Sequence, residues 1–214
     1  MVPDAIDASY IREFSKLAKE LGKKHSLAIV TGGGKTARKY IEPARSFGAP
    51  EIICDLIGIE ATRMNARLLS AAIGDAASKE PAKNQIEAAL DLDMKKIAVM
   101  GGTDAGHSTD AVAALLAEYI KADLFINASN VDGIFDSDPS KNKKAKMLEK
   151  ISSAELIDMI KPNSLGAGKY ELVDLMAAKI IQRSKIRAIF LNGRNLSNLK
   201  NAVEGKKFTG TSII

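Results

Sequence analysis

The chain has 214 residues, 31 lysines and arginines against 26 aspartates and glutamates (formal net charge +5), and 46% hydrophobic residues. That balance excludes disordered and collagen-like chains, and a chain of this length buries about 70% of its unfolded surface without staples. The single cysteine, Cys54, excludes an internal disulfide and a cysteine-rich zinc site, and reads as a small buried residue of a protein in the reducing cytoplasm.

In chain order, Ile11, Phe14, Ala18 and Leu21 fall at helical spacing, and Gly22 is placed to close that helix. Ser26-Leu27-Ala28-Ile29-Val30 is a short continuous apolar run of strand type. The glycine loop Gly32-Gly33-Gly34 follows, and Lys35 to Ala44 resumes a helical pattern. Residues 78–84 are polar; they read as a flap or a subunit contact and carry no assignable chemistry. The strand, glycine loop and helix then recur. Ile97-Ala98-Val99-Met100 is strand-like, Gly101 to Gly106 is a loop, and a helix places Val112, Leu115, Leu116, Tyr119 and Ile120 on one face.

A third run, Leu124-Phe125-Ile126-Asn127, leads into a polar loop from Ala128 to Asn142, and the basic stretch 141–146 reads as solvated. Residues 161–169 are glycine-rich, a plain loop or one that closes over a ligand. A fourth run, Ala188-Ile189-Phe190-Leu191, ends at Asn192-Gly193. Strands without polar alternation, separated by helices, predict an α/β fold with a mostly parallel sheet covered on both faces.

In such sheets ligands collect where strand ends meet helix N-termini. Glycines let backbone amides converge on an anion, so two such loops predict phosphate seats. Neither fits a familiar phosphate motif. A P-loop ending in Gly34-Lys35-Thr36 needs glycine where Ile29 stands, and Gly101-Gly102 with Gly106 has the wrong spacing for a dinucleotide fingerprint. No nucleophile elbow surrounds Ser108, which sets hydrolases aside. Aromatic residues are 5% of the chain with no tryptophan, too few rings for a nucleic-acid partner, and no apolar run is long enough for a membrane.

Longer blocks carry a family pattern. They are Val30-Thr31-Gly32-Gly33-Gly34-Lys35 with Ala37-Arg38, Cys54-Asp55-Leu56-Ile57-Gly58-Ile59, and Met100-Gly101-Gly102-Thr103 with Gly106-His107-Ser108-Thr109-Asp110. Asn130-Val131-Asp132-Gly133 with Asp138-Pro139, Asp174-Leu175 with Ala177-Ala178-Lys179, and Gly210-Thr211 complete them. In this order the blocks resemble the archaeal-type uridylate kinases from Tyr10 to the C-terminus. The resemblance implies the amino acid kinase fold, a three-layer α/β/α sandwich in one domain spanning 1–214. UMP would be bound roughly by residues 1–122 and ATP by residues 123–214. It implies transfer of the γ-phosphoryl of ATP, carried with Mg2+, to UMP in pyrimidine nucleotide biosynthesis. It also implies a homo-oligomer, a hexamer built as a trimer of dimers.

Residue by residue, the resemblance implies that Gly33, Asp55, Thr103, Asp104, Ala105, Gly106, His107, Ser108 and Thr109 hold UMP, with Asp55 accepting from ribose hydroxyls. It places Gly34 and Arg38 at the ATP phosphates, and Ser129, Asn130, Phe135 and Asp138 around the ATP nucleoside. Phe135 stands where tyrosine is common, which keeps the ring and loses a phenolic hydrogen bond. Arg38 and Asp174 are the catalytic candidates; Asp174 reads equally well as a helix N-cap. A nucleotide-binding protein without turnover and a carboxylate or carbamate kinase are the alternatives, the latter disfavoured by the block from Gly106 to Asp110.

The start of the chain departs from the family. Family members begin with a strand ending in Gly-Gly-Ser whose loop receives the ATP phosphates, whereas Met1-Val2-Pro3-Asp4 matches the residues just after that loop. About a dozen residues are expected to be absent, with unpaired ladder groups and much reduced kinase activity as the consequence.

Overall fold

The computed structural model describes residues 6–160 and 173–214; the glycine-rich stretch 161–169 lies outside the described residues. The chain divides into two compact units, residues 1–113 and 114–214.

The first unit opens with α1 (Ala8–Gly22), started by the Asp7 carboxylate, which accepts from the Tyr10 N–H at 2.9 Å. Its apolar stripe is the predicted one, but Gly22 is the last helical residue and Lys23, in right-handed conformation, is the cap. No left-handed turn is needed there, because the Lys23 N–H returns to the Glu20 and Leu21 carbonyls. Strand β1 (Ala28–Val30) follows, then α2 (Gly34–Ser46) and α3 (Glu51–Ile73). Helix α3 went unread in the sequence, since its glycine at position 58 and its mixed face blur the period. Ala66, Leu69 and Ile73 of α3 pack with Ile11 and Ala18 of α1 and with Ile97 and Val99, and this cluster is the core of the unit. Helix α4 (Gln85–Asp93) is capped by the Asn84 side chain, and β2 (Ala98–Met100) comes next.

β1 and β2 pair in parallel, Ala28 opposite Ala98 and Val30 opposite Met100. The other edge of β2 takes parallel bridges from Ala77 to Ile97 and from Ala82 to Met100. Residues 78–84 are therefore no free flap; the stretch is tied to the sheet at Ala82, whose N–H donates to the Val99 carbonyl at 2.9 Å.

Helix α5 (Thr109–Tyr119) contains the division between the units. Ala111, Val112, Ala114, Leu116 and Ala117 are its buried residues; Tyr119, expected on that face, is 54% exposed. In the second unit β3 (Leu124–Ser129) runs two residues further than the apolar run, because its ladder with β5 (Arg187–Asn192) continues to Ser129 opposite Asn192. With β4 (Lys150–Ile151) and β6 (Thr211–Ile213) the strand order is β3-β5-β6-β4, parallel except for β5 against β6. Helices α6 (Ser153–Ile160), α7 (Leu175–Ser184) and α8 (Leu196–Val203) complete the unit. Ala188, Ile189, Phe190 and Leu191 of β5 are all buried, as a strand without polar alternation requires.

Candidate functional site

The two glycine loops of the first unit leave the carboxyl ends of adjacent parallel strands, β1 and β2. The first carries Gly33 as the N-cap of α2 and Gly34 at φ +60°, a left-handed conformation that favours glycine. A side chain at position 33 would meet the Ala37 Cβ at 2.6 Å, so glycine is also required by close approach. The first-turn amides of α2 have no intrahelical acceptors and form, with the helix dipole, an anion-binding end. Arg38 is exposed on the next turn of α2.

The second loop runs from Gly101 to the start of α5. Gly101 lies against α3, where an added Cβ would stand 2.5 Å from Thr62 Oγ1 and 2.8 Å from the Arg63 nitrogen. Gly106 turns the loop at φ +81°, and its N–H donates to Asp55 Oδ2 at 2.8 Å. Asp55 thus ties the loop to α3 with one oxygen. Ser108 Oγ accepts from the Ala111 N–H at 3.0 Å and caps α5. Thr103 Oγ1 and His107 Nδ1 are buried and have no hydrogen-bond partner. Five buried side-chain atoms among the described residues lack a partner, those of Arg63, Ser70, Asp91, Thr103 and His107, and two of them belong to this one glycine loop. Asp104, Ala105 and Thr109 complete the loop; Asp104 is exposed and Ala105 and Thr109 are half-buried.

Two residues that the sequence pattern did not single out hold both loops. Asn65 of α3 donates through Nδ2 to the Gly32 carbonyl at 2.7 Å. Thr62, one turn earlier, accepts from the Gly102 N–H through Oγ1 at 2.6 Å. With Asp55 they sit at i, i+7 and i+10, one stripe of α3. Polar residues at that spacing along one face of the helix are the signal that would have found them.

The remaining candidates lie in the second unit. Ser129 ends β3, and its Oγ closes a turn on Val131 at 3.2 Å. Asn130 is exposed. Phe135 is half-buried and forms an antiparallel bridge with Met147. Asp138 Oδ1 accepts from the Ser140 hydroxyl at 2.7 Å and the Ser140 N–H at 2.9 Å, and these bonds, aided by Lys141, hold its carboxyl below the usual aspartate range. Ser129, Asn130, Phe135 and Asp138 therefore share one connection between β3 and β4. Asp174 caps α7, accepting from the Ala177 N–H at 2.8 Å.

Residues 3–192 match the profile of the amino acid kinase family. A uridylate kinase of Methanobrevibacter smithii is 45% identical over 97% of this chain and 92% of its own length. That of Methanocaldococcus jannaschii is 48% identical over 90% and 86%. The crystal structure of a uridylate kinase from Archaeoglobus fulgidus superposes with a TM-score of 0.88 at 42% identity, covering 99% of this chain and 96% of that one. A UMP kinase from Bacillus anthracis shares the fold, with a TM-score of 0.82 at 20% identity.

Proposed function

Since this chain belongs to the amino acid kinase family, we propose that it is a uridylate kinase, transferring the γ-phosphoryl of ATP to UMP to give UDP and ADP. The observation that carries the reading is the second glycine loop. It is pinned to α3 through Thr62 and Asp55, yet keeps Thr103 Oγ1 and His107 Nδ1 buried and unpaired. A bound nucleoside monophosphate supplies partners for both. In this reading Gly33, Thr103, Asp104, Ala105, Gly106, His107, Ser108 and Thr109 surround UMP. The second Asp55 oxygen accepts from ribose, the first oxygen being held by Gly106.

The reaction asks little of proton transfer. A nucleotide phosphate with a second pKa of about 6 is mostly a dianion at neutral pH and attacks without a general base. His107 is a positioning group. What the chain must supply is in-line placement of two mutually repelling phosphates and neutralisation of the transferred group's oxygens. The amides of Gly33 and Gly34, the N-terminus of α2 and Arg38 are suited to that, with Gly34 and Arg38 at the ATP phosphates. Ser129, Asn130, Phe135 and Asp138 line the nucleoside end of ATP, and Asp174 orders the centre from the start of α7. Binding divides roughly between residues 1–122 for UMP and residues 123–214 for ATP.

Among the described residues no three acidic, histidine or cysteine side chains gather as a metal cage. That donor set suits Mg2+ held chiefly by ATP phosphates and water, with a carboxylate such as Asp174 nearby, and the ion would neutralise phosphate charge. Among the described residues no helix is long and apolar enough to cross a membrane. We place the protein in the cytoplasm, in pyrimidine nucleotide biosynthesis. Exposed Ile52, Leu56, Met64 and Leu68 lie along one side of α3, which supports a homo-oligomer; the hexamer, a trimer of dimers, follows from the family resemblance alone.

Thermal shift with UMP, CMP, aspartate and acetylglutamate, paired with coupled ADP release, tests the reading. A ligand at 100 times its dissociation constant stabilises by about 2.7 kcal/mol. UMP is expected to give the largest shift and to support ADP release. Replacing Asp55 with alanine is expected to weaken UMP about tenfold or more. Stabilisation by an amino acid without a response to UMP would overturn the reading.

A further inference from the structure

We propose that Thr62 and Asn65 are positioning residues that set the two glycine loops in opposite polarity, so that the first turns a peptide N–H away from α3 and the second turns a peptide C=O away from it. The proposal rests on the uridylate kinase reading, which it deepens by assigning what orients the UMP site.

Peptide geometry dictates this polarity. The described residues contain no cis peptide bond, and in a trans peptide the carbonyl and the next N–H point in opposite directions. Asn65 Nδ2 draws the Gly32 carbonyl onto α3 at 2.7 Å, with the Gly33 carbonyl at 3.4 Å. The Gly33 N–H therefore points away from the helix. At the second loop the polarity is reversed. Thr62 Oγ1 spends its own proton on the Ile59 carbonyl at 2.6 Å, which leaves a lone pair for the Gly102 N–H at 2.6 Å. The Gly101 carbonyl is thereby turned away from α3.

Each side chain is the type its loop needs. A loop that receives phosphate must have its carbonyls drawn aside, which takes a donor, and Asn65 offers one where an aspartate would repel both carbonyls. A loop that receives sugar hydroxyls or a base N–H must show an acceptor, so its amide is drawn aside, and Thr62 accepts it. Both residues are buried, at 5% and 8% exposure, where a lost partner is costly. The Thr31 hydroxyl donates to the Thr62 carbonyl at 2.9 Å and fixes this turn of α3 to the end of β1. A Cβ at Gly101 would stand 2.5 Å from Thr62 Oγ1 and 2.8 Å from the Arg63 nitrogen, so glycine lets the second loop lie directly against this turn of α3.

The test combines kinetics with NMR of protein labelled with 15N-glycine. Thr62→Val is expected to raise the KM for UMP about tenfold or more while the KM for ATP stays within about twofold, Thr62→Ser is expected to restore the wild-type value, and Asn65→Ala, whose loop also carries Gly34, is expected to raise the KM for both nucleotides. In the wild type, hydrogen exchange of the labelled amides is expected to find Gly102 protected without UMP and Gly33 protected only with it, a readout independent of whether a variant folds. A Gly102 amide that exchanges as freely without UMP as that of Gly33 overturns the proposal. So does a folded Thr62→Val with an unchanged KM for UMP or with both KM values raised alike, and so does a folded Asn65→Ala with both KM values unchanged. A wild-type protein that ignores UMP overturns the function itself; a wild type that responds while the variants match it overturns this proposal alone.

Discussion

The glycine loops of the first unit and the connection between β3 and β4 in the second are held by opposite means. The glycine loops carry few side chains of their own and are tied to α3 by Asp55, Thr62 and Asn65, partners 51, 40 and 33 residues away from the loop atoms they bind. The second connection ties itself. Ser129 closes on Val131, Asp138 on Ser140, and the Asp136 side chain accepts from the Lys146 N–H at 3.0 Å. Its distant anchors include Thr211, fully buried, which accepts from the Ile134 N–H at 2.8 Å and donates to the Leu148 carbonyl, and Asn192, whose Nδ2 donates to Asp132 at 3.0 Å. Loops that must leave peptide groups, an N–H in the first and a C=O in the second, open to a ligand cannot spend them on one another, so their order comes from a neighbouring helix. A loop that keeps its polar groups for itself can be ordered locally.

The contrast predicts unequal damage. Gly101→Ala should do most harm, because its Cβ meets the Thr62 side chain and the α3 backbone and lifts the second loop from its anchors. A loss of about 3 kcal/mol in denaturant unfolding is expected, together with loss of the UMP-induced thermal shift. If Gly101→Ala melts like the wild type, the dependence of that loop on α3 is wrong. Thr211→Val should cost about 2 kcal/mol, since it leaves the Ile134 N–H and the Leu148 carbonyl buried without this partner. Its effect should fall on stability and leave the affinity for UMP, measured by calorimetry, unchanged.

The smallest effect belongs to Ser140→Ala. Removing the hydroxyl should let the Asp138 carboxyl rise towards the ordinary aspartate value, read by NMR titration of that carboxyl. A lowered folded-state value means that the contribution to stability is present above the unfolded value and fades as pH falls through the folded one. Thermal melts of the variant and the wild type should therefore differ slightly at neutral pH and converge on acidification. A difference that widens in acid would contradict the sign.

The same contrast separates what could be read in advance from what could not. β2 and residues 188–191 of β5 are apolar because they are covered, and the glycines announce the turns that follow β1 and β2; both signals are confined to a few neighbouring residues. The cap at Asp174 was legible for the same reason, since an aspartate ahead of Leu175 satisfies a helix whose pattern lies just beyond it. Helix α3 was not, although the block from Cys54 to Ile59 stood out within the family pattern. Its exposed Ile52, Leu56, Met64 and Leu68 offset the apolar face packed on the core, so the stripe that marks a helix is blurred. The exposure of Tyr119 and the tie of Ala82 to Val99 escaped for a related reason, since both depend on which surfaces are covered and which strand edges are taken.

The sequence by itself determined the α/β class, the family, four of the six strands among the described residues and the two glycine loops, because hydrophobic runs, turn glycines and family blocks are written in adjacent residues. Only the tertiary structure decided what orients those loops. Asp55, Thr62 and Asn65 gain their roles from backbone groups far along the chain, and a hydrogen bond to a peptide of another segment leaves no mark on the local pattern of either partner.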